Sequence, residues 1–406
     1  MTPILNPEAT AFAHLVLGYA PMIDRHRTVT ALRLTIAPAK PDQLPAAEVL
    51  LAALAEFWPV EAGRLSLNIA SETLLAAVLQ QLPAQNLMLE LPAFMASDPA
   101  HAPALAALHR HGTAILIKGR PSAPLPQSVL DCLAYSIIDL ADERRDGLPP
   151  PGGQARQIPH VQAGITHLHE MAYAFGRGAI AVLGWPLGEP LDPAAKPSAN
   201  KPKRAPELQT IIELINRVDR QESIERIEAV LKLDPTLAYR LIRYINAPAF
   251  GLRVEVSSFR HAVMMLGFGR LKRWLALLMV SGSSDPDLKP LVYAAVRRGL
   301  LMEELGRSNS DDSQRGELFI CGVFSLLDRM LQQPFAELLQ AIPVPDAVRL
   351  ALLDEASPHA PYLNLVRALE SASAWDIREA ADSLMMAPQE VNCALLRALL
   401  AARQLD

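Results

Sequence analysis

Two clusters in this sequence carry side chains that could do chemistry. His167-x-His169-Glu170 offers two imidazoles and a carboxylate, a donor set suited to a transition metal. On a helix, positions i and i+2 lie on different faces, so this spacing argues against a shared ion. Arg270, Lys272 and Arg273 beside Trp274 combine cations with an aromatic ring, a pattern that can contact nucleic acid. The chain carries a net charge of −5, so a solvated helix start or a protein-contact surface is favoured and nucleic acid is not expected as a partner. Gly267-Phe268-Gly269 is too short to cradle a phosphate and reads as a helix stop. Neither a Gly-x-Ser-x-Gly elbow nor a Walker-type loop occurs. Cys132, Cys321 and Cys393 are odd in number and far apart; they read as buried thiols in a reducing compartment, not as a disulfide framework or a metal cluster.

The elements that position these residues fall into two halves. Leu65–Ala70, Leu87–Leu91, Thr113–Ile117 and Ala134–Leu140 are short apolar runs that read as buried strands. Amphipathic stretches at Glu48–Trp58, Ser71–Leu82 and Pro99–His111 lie between them. Such alternation points to a parallel sheet, and the number of repeats favours a closed barrel over an open sheet. From about Glu207 the period becomes helical. Ile224, Ile227, Val230 and Leu231 form one stripe, and Asp234-Pro235 restarts a helix as N-cap and first turn. Ser257-Ser258 cap another helix, which Gly267 ends, and further helices follow to about Ala372. Between the halves, Leu191–Pro206 is rich in Pro, Ala and Lys and has no apolar period, so it reads as a linker.

Length and composition agree. A chain of 406 residues exceeds one ordinary core and suggests two domains. Half of it is apolar and 20% is charged, as in globular proteins. The start, with Pro3, Asn6, Pro7 and Glu8, is not a basic-then-apolar leader, and the longest apolar run, near Trp274–Val280, falls far short of the ~20 residues that span a bilayer. A cytoplasmic protein without a membrane partner is expected.

The stretch Leu231–Leu278 resembles the core of an HDOD domain. It shares the Asp234-Pro235 helix start, the Arg240, Arg243 and Asn246 series, the Ser257-Ser258 cap and the Leu266-Gly267 stop. Gly316–Leu331 resembles a later helix of that domain in two-domain EAL–HDOD proteins of the YuxH-like type. The first half is collinear with the EAL barrel of those proteins. Leu17–Leu34 is similar to its first strand–turn–strand, Leu65–Leu75 to its Asn-bearing strand and Gly176–Pro190 to its closing strand. The resemblance implies a degenerate EAL-type TIM-like (β/α) barrel over residues 1–192, a linker over 193–206 and an all-helical, HD-related HDOD output domain over 207–406.

Active EAL domains hydrolyse cyclic di-GMP with two divalent cations, which require several anionic oxygen ligands. By this resemblance Leu32 stands where the Glu of the name-giving motif belongs. Asn68 and Glu90 are kept. Lys118-Gly119 falls where an Asp-Asp pair belongs, Asp139 is kept without its Lys partner, and Ala163–Thr166 holds no late carboxylate. A cation at Lys118 repels metal. Asn68 and Glu90 are expected to bond within the barrel mouth, with Glu90 pairing to Lys118 on the neighbouring strand. The family's phosphate-clamping Arg is absent, since Ile36 falls there. The helical half has no His-Asp dipeptide; His261 and His359 are its only histidines, and His261 reads as an ordinary surface or hydrogen-bonded side chain.

No cofactor and no metal are therefore expected, and no enzymatic activity. The favoured reading is a non-catalytic bacterial signal-transduction scaffold or adaptor, binding other signalling proteins through Arg240, Arg243, Asn246, Arg270, Lys272, Arg273 and Trp274. Two further readings stay open: a cyclic di-GMP sensor without hydrolysis, and an active phosphodiesterase with an unorthodox site.

Overall fold

The computed structural model describes residues 7–40, 42–145, 158–188, 206–231, 259–281, 285–308 and 310–403. The linker stretch 193–205, Asp234-Pro235, Arg240, Arg243, Asn246 and Ser257-Ser258 lie outside them. Two compact units are present: Met1–Gly188 with Arg367–Leu396, and Glu189–Val366 with Arg397–Asp406.

In the first unit eight strands close a barrel in chain order: β1 (Leu15–Asp24), β2 (Val29–Pro38), β3 (Arg64–Ile69), β4 (Leu87–Pro92), β5 (Ile115–Lys118), β6 (Leu133–Asp139), β7 (His160–Ile165) and β8 (Ala181–Gly184). The four apolar runs read as strands appear as β3 to β6, and the helices between them as Ala47–Phe57, Glu72–Val78 and Ala102–His111. Strands β2 to β8 are parallel, whereas β1 is antiparallel to both neighbours. The reason is local. The β1–β2 connection is a tight turn in which the Asp24 carboxylate accepts from His26 N and Thr28 N at 2.8 and 2.9 Å, and so short a link joins only antiparallel strands.

Met22, Ala31, Met88, Leu116, Ile137, Val161, Ala163, Ala181 and Leu183 form one buried cluster drawn from seven strands, which in a closed barrel is the lumen. Side chains alternate along a strand, so this cluster also fixes which residues further along each strand face inward.

Strand β1 pairs with β8 only at Met22–Asp24, leaving its other edge open towards Leu15. An unpaired buried edge is costly. Trp185 Nε1 donates to Tyr19 O at 3.2 Å, and Asn392, 1% exposed, covers the rest. Asn392 Oδ1 accepts from Leu17 N at 3.1 Å, and its Nδ2 donates to Phe12 O at 2.9 Å and Leu15 O at 2.7 Å. Ala372 lies so close to Gly18 that a Cβ there would stand 2.6 Å from the Ala372 Cα. Residues Arg367–Leu396, which the division at 207 assigns to the helical half, thus group with the barrel.

The second unit is helical among its described residues. Its helices are Pro206–Asp219, Ile224–Leu231, Phe259–Ser281, Lys289–Leu305, Asp312–Phe324, Leu327–Leu331, Phe335–Ala341 and Asp346–Leu352. Gly267 breaks Phe259–Ser281 at φ 71 and ψ 171, a backbone that glycine adopts without strain. Gly299 and Gly322 let Lys289–Leu305 and Asp312–Phe324 approach closely: a Cβ on Gly322 would meet the Arg298 backbone at 2.5 Å. Asp311 caps Asp312–Phe324 by accepting from Gln314 N at 2.8 Å. Cys132, Cys321 and Cys393 are buried thiols outside any disulfide, and burial raises the pKa of the Cys132 thiol.

Candidate functional site at the barrel mouth

Inward-facing residues near the carboxyl ends of β2 to β6 build the site, the end at which barrels of this kind place their chemistry. Arg33 lies level with Ser66, and Thr35 with Asn68. Two residues beyond Met88 is Glu90, two beyond Leu116 is Lys118, and two beyond Ile137 is Asp139.

Glu90 is 1% exposed and fully engaged. Arg33 Nε donates to Glu90 Oε1 at 2.9 Å and Oε2 at 3.1 Å, Arg33 Nη2 pairs with Oε2, and Ser66 Oγ donates to Oε1 at 3.0 Å. Lys118 Nζ donates to Asn68 Oδ1 at 2.6 Å, and Asn68 Nδ2 donates to Thr35 Oγ1 at 3.2 Å. Burial lowers the Lys118 pKa; Glu90 pulls it back up, and Arg33 pushes it down again. Asp139 Oδ1 accepts from Ala141 N at 2.8 Å, at the start of the helix Leu140–Arg145.

Asn68, Glu90, Lys118 and Asp139 are thus brought to one inward face. Leu32 is not. It is 4% exposed and level with Leu65 on the opposite face of β2, so Arg33 is the residue that enters the site. Glu90 takes Arg33 and Ser66 as its hydrogen-bond partners, where Lys118 had been expected, because Lys118 is spent on Asn68. Gly119 follows Lys118 at φ 83, its N–H donating to Ile137 O at 3.2 Å.

The resemblance implies two divalent cations, and these residues do not fit them. The Glu90 carboxylate faces a guanidinium, and the one side-chain oxygen of Asn68 faces an ammonium. Among the described residues no group of three or more His, Cys, Asp or Glu is placed to hold a metal. His167 and His169 do come together, their ring centroids 5.2 Å apart, because His167 precedes the helix Leu168–Gly176 and escapes the i, i+2 geometry. Glu170 Oε2 lies 3.6 Å from His167 Nδ1 but is spent on the backbone, accepting from Thr166 N at 2.9 Å and His167 N at 3.1 Å.

In the helical unit the basic cluster is largely used internally. Trp274 is 1% exposed and belongs to the core, which removes it from any contact surface. Arg273 pairs with Glu303 and stacks on Phe319 at 4.0 Å; Lys272 pairs with Asp219. Arg270 is exposed. His359 is buried with Nε2 3.1 Å from Glu317 Oε2.

The architecture is therefore a closed barrel joined to a helical domain, and the latter is an HDOD domain: that family matches residues 202–340. The resemblance to EAL–HDOD proteins is borne out. The chain is similar to the protein YuxH of Bacillus subtilis, 29% identical over 168 residues, or 40% of this chain and 41% of YuxH. It is similar to the cyclic di-GMP phosphodiesterase CdgJ of Vibrio cholerae, 28% identical over 169 residues, or 41% of this chain and 39% of CdgJ. The matched stretch thus spans about two fifths of each relative. Among solved structures, the EAL enzyme Bd1971 in its cAMP- and cyclic-di-GMP-bound form has a TM-score of 0.34 at 17% identity, covering 46% of this chain and 64% of that one. The FimX EAL domain of Pseudomonas aeruginosa bound to cyclic di-GMP has a TM-score of 0.28 at 14% identity, covering 43% and 90%. With scores this low, the barrel assignment stands on the strand pairing itself. No helix among the described residues is long and apolar enough to cross a membrane.

Proposed function

We propose that this chain is a cytoplasmic, non-catalytic component of cyclic di-GMP signalling: its barrel does not hydrolyse the nucleotide, and its HDOD domain works by contact with other signalling proteins. The pathway is suggested by the similarity to CdgJ, whose name assigns it cyclic di-GMP phosphodiesterase activity. The observation that carries the silent barrel is Arg33 seated on Glu90. A two-metal hydrolysis must gather anionic oxygens around four positive charges and deprotonate a bound water. Here the buried carboxylate is already neutralised, and Lys118 adds a second fixed cation.

The test is full-length protein incubated with cyclic di-GMP and Mg²⁺ or Mn²⁺, with chromatography of the products. No linear dinucleotide is expected, and metal-dependent product would overturn the reading. Calorimetry with the nucleotide, with and without metal, separates an inert barrel from one that binds without cutting. For the helical half, charge reversal at Arg240, Arg243 and Arg270 in the full chain is expected to reduce recovery of its protein partners.

A further inference from the structure

Barrels of this kind keep their chemistry at the carboxyl ends of the strands, so charge gathered at the amino ends needs another reason. Two segments meet there. The turn at 24–28 joins β1 to β2, and residues 173–180 run from the helix Leu168–Gly176 to β8, which pairs with β1. Together they carry three guanidiniums, Arg25, Arg27 and Arg177, and one carboxylate, Asp24, which accepts from two backbone N–H groups of its own turn. In a chain of net charge −5 this is a local excess of positive charge.

All three guanidiniums converge on the end of that helix. Arg25 Nε and Nη2 donate to Ala179 O at 3.3 and 3.2 Å, and Nη2 reaches Phe175 O at 3.5 Å. Arg27 lies over the Phe175 ring at 5.7 Å. Arg177 lies over the Tyr173 ring at 5.3 Å, and its Nη1 donates to the Tyr173 hydroxyl at 2.6 Å. A cation at a helix C-terminus satisfies the last carbonyls, which accounts for Arg25. It does not account for the other two, which rest on aromatic faces. Arg27 also holds its backbone at φ 62, a left-handed conformation that Gly or Asn adopts more readily than Arg. Among the described residues, Arg25 and Arg177 are bonded to neutral oxygens alone. The same segment leaves Tyr173 54% and Ile180 40% exposed.

We infer that this face, at the end of the barrel away from the mouth, docks an acidic segment of a partner protein that carries apolar side chains among its carboxylates. Guanidinium forks pair bidentately with carboxylates, and forks already held in position lose little freedom in doing so. Tyr173 and Ile180 offer the segment's apolar side chains a surface to bury against. A long polyanion, whether nucleic acid or a bilayer surface, extends past the roughly 8–10 Å over which the patch is felt and meets a chain that is negative overall. A short segment meets the patch alone. Such a contact lies outside both the mouth and the helical unit, so it goes past the function proposed above and does not rest on it.

The experiment titrates full-length protein into a short fluorescein-labelled peptide of Glu, Asp, Leu and Phe at low ionic strength and reads the anisotropy. Wild type is expected to give saturable binding. Arg27→Glu/Arg177→Glu is expected to weaken it at least about tenfold, since like charges then face each other where opposite ones did. Arg110→Glu/Arg307→Glu makes the same change in net charge at exposed positions elsewhere and is expected to keep the affinity within about twofold. If the reversal at 27 and 177 does not fold, Arg27→Asn/Arg177→Gln replaces it, because Asn suits the left-handed backbone, and binding is expected to fall several-fold. No saturable binding by wild type overturns the inference. An equal loss in both reversals also overturns it, because net charge alone would then explain the binding. Tighter binding of a single-stranded oligonucleotide or of phosphatidylserine vesicles, lost in the same variant, overturns the choice of a protein partner.

Discussion

The barrel mouth and the helix Phe259–Ser281 both gather basic residues, yet they treat them differently. In the mouth, Arg33 meets a Glu90 whose side chain is 0% exposed. On the helix, Arg273 meets Glu303 with side chains 24% and 22% exposed, and Lys272 meets an Asp219 that is 45% exposed. Desolvation decides the contrast. Where water still reaches a pair, either partner can be lost and rehydrated. Where it does not, the surviving charge is stranded. A pair of the same chemistry can thus be broken at moderate cost in one unit, whereas its pairing is a condition of stable folding in the other.

The largest expected effect tests that condition. Glu90→Gln leaves the Arg33 guanidinium in the lumen without its anion and should destabilise the barrel by about 3 kcal/mol or more, read as a lower denaturant midpoint. Replacing both partners, as Arg33→Met/Glu90→Leu, should recover most of this loss. A double variant no better than Glu90→Gln would show that the pair contributes more than mutual neutralisation.

Arg273→Ala is expected to cost less, about 1–2 kcal/mol, because Glu303 keeps some contact with water. Burial already raises the Glu303 pKa, and Arg273 is the main influence pulling it down. The variant should therefore lose less stability at low pH, where Glu303 is protonated, than at neutral pH. Equal losses at both would remove the ion pair from the explanation.

The smallest effect concerns Lys118. Its pKa in the folded barrel lies below the usual 10.5 because burial disfavours the ammonium. Between the lowered value and 10.5 the unfolded chain binds more proton than the folded one, so stability rises with pH across that interval. Lys118→Met lacks this contribution. Wild type should gain about one to two degrees in melting temperature on the variant as pH climbs from 7 to 10, and parallel curves would contradict the assignment.

Much of this architecture could be read in advance, and the misses have identifiable causes. Strands β3 to β6 were legible because buried strands are continuous apolar runs, and the helical half because its stripes and caps recur at helical spacing. Arg33 was missed by a single position: a strand shows alternate residues to opposite faces, so matching Leu32 to a motif turned the wrong side inward. The alternation Ala31, Arg33, Thr35 held the signal, since Ala31 belongs to the lumen cluster. Trp274 was legible too, because Leu271, Trp274, Leu275 and Leu278 form one helical stripe and all are buried. The return of Arg367–Leu396 to the barrel was not legible. An amphipathic helix announces that it will bury a face but not against what, and nothing local tells Asn392 to seek β1.

That clasp has a consequence during synthesis. Leu17 and Asn392 lie 375 positions apart, so the ribosome needs roughly 20–75 seconds at ~5–20 residues per second to deliver the second after the first. Through that interval a nascent barrel holds its β1 edge without its final stitch, while Glu189–Val366 emerges in full. The polypeptide order thus sets a folding order: the barrel, begun first, waits on a segment made after most of the helical unit, whose own last piece, Arg397–Asp406, comes later still, with an edge for chaperones to guard.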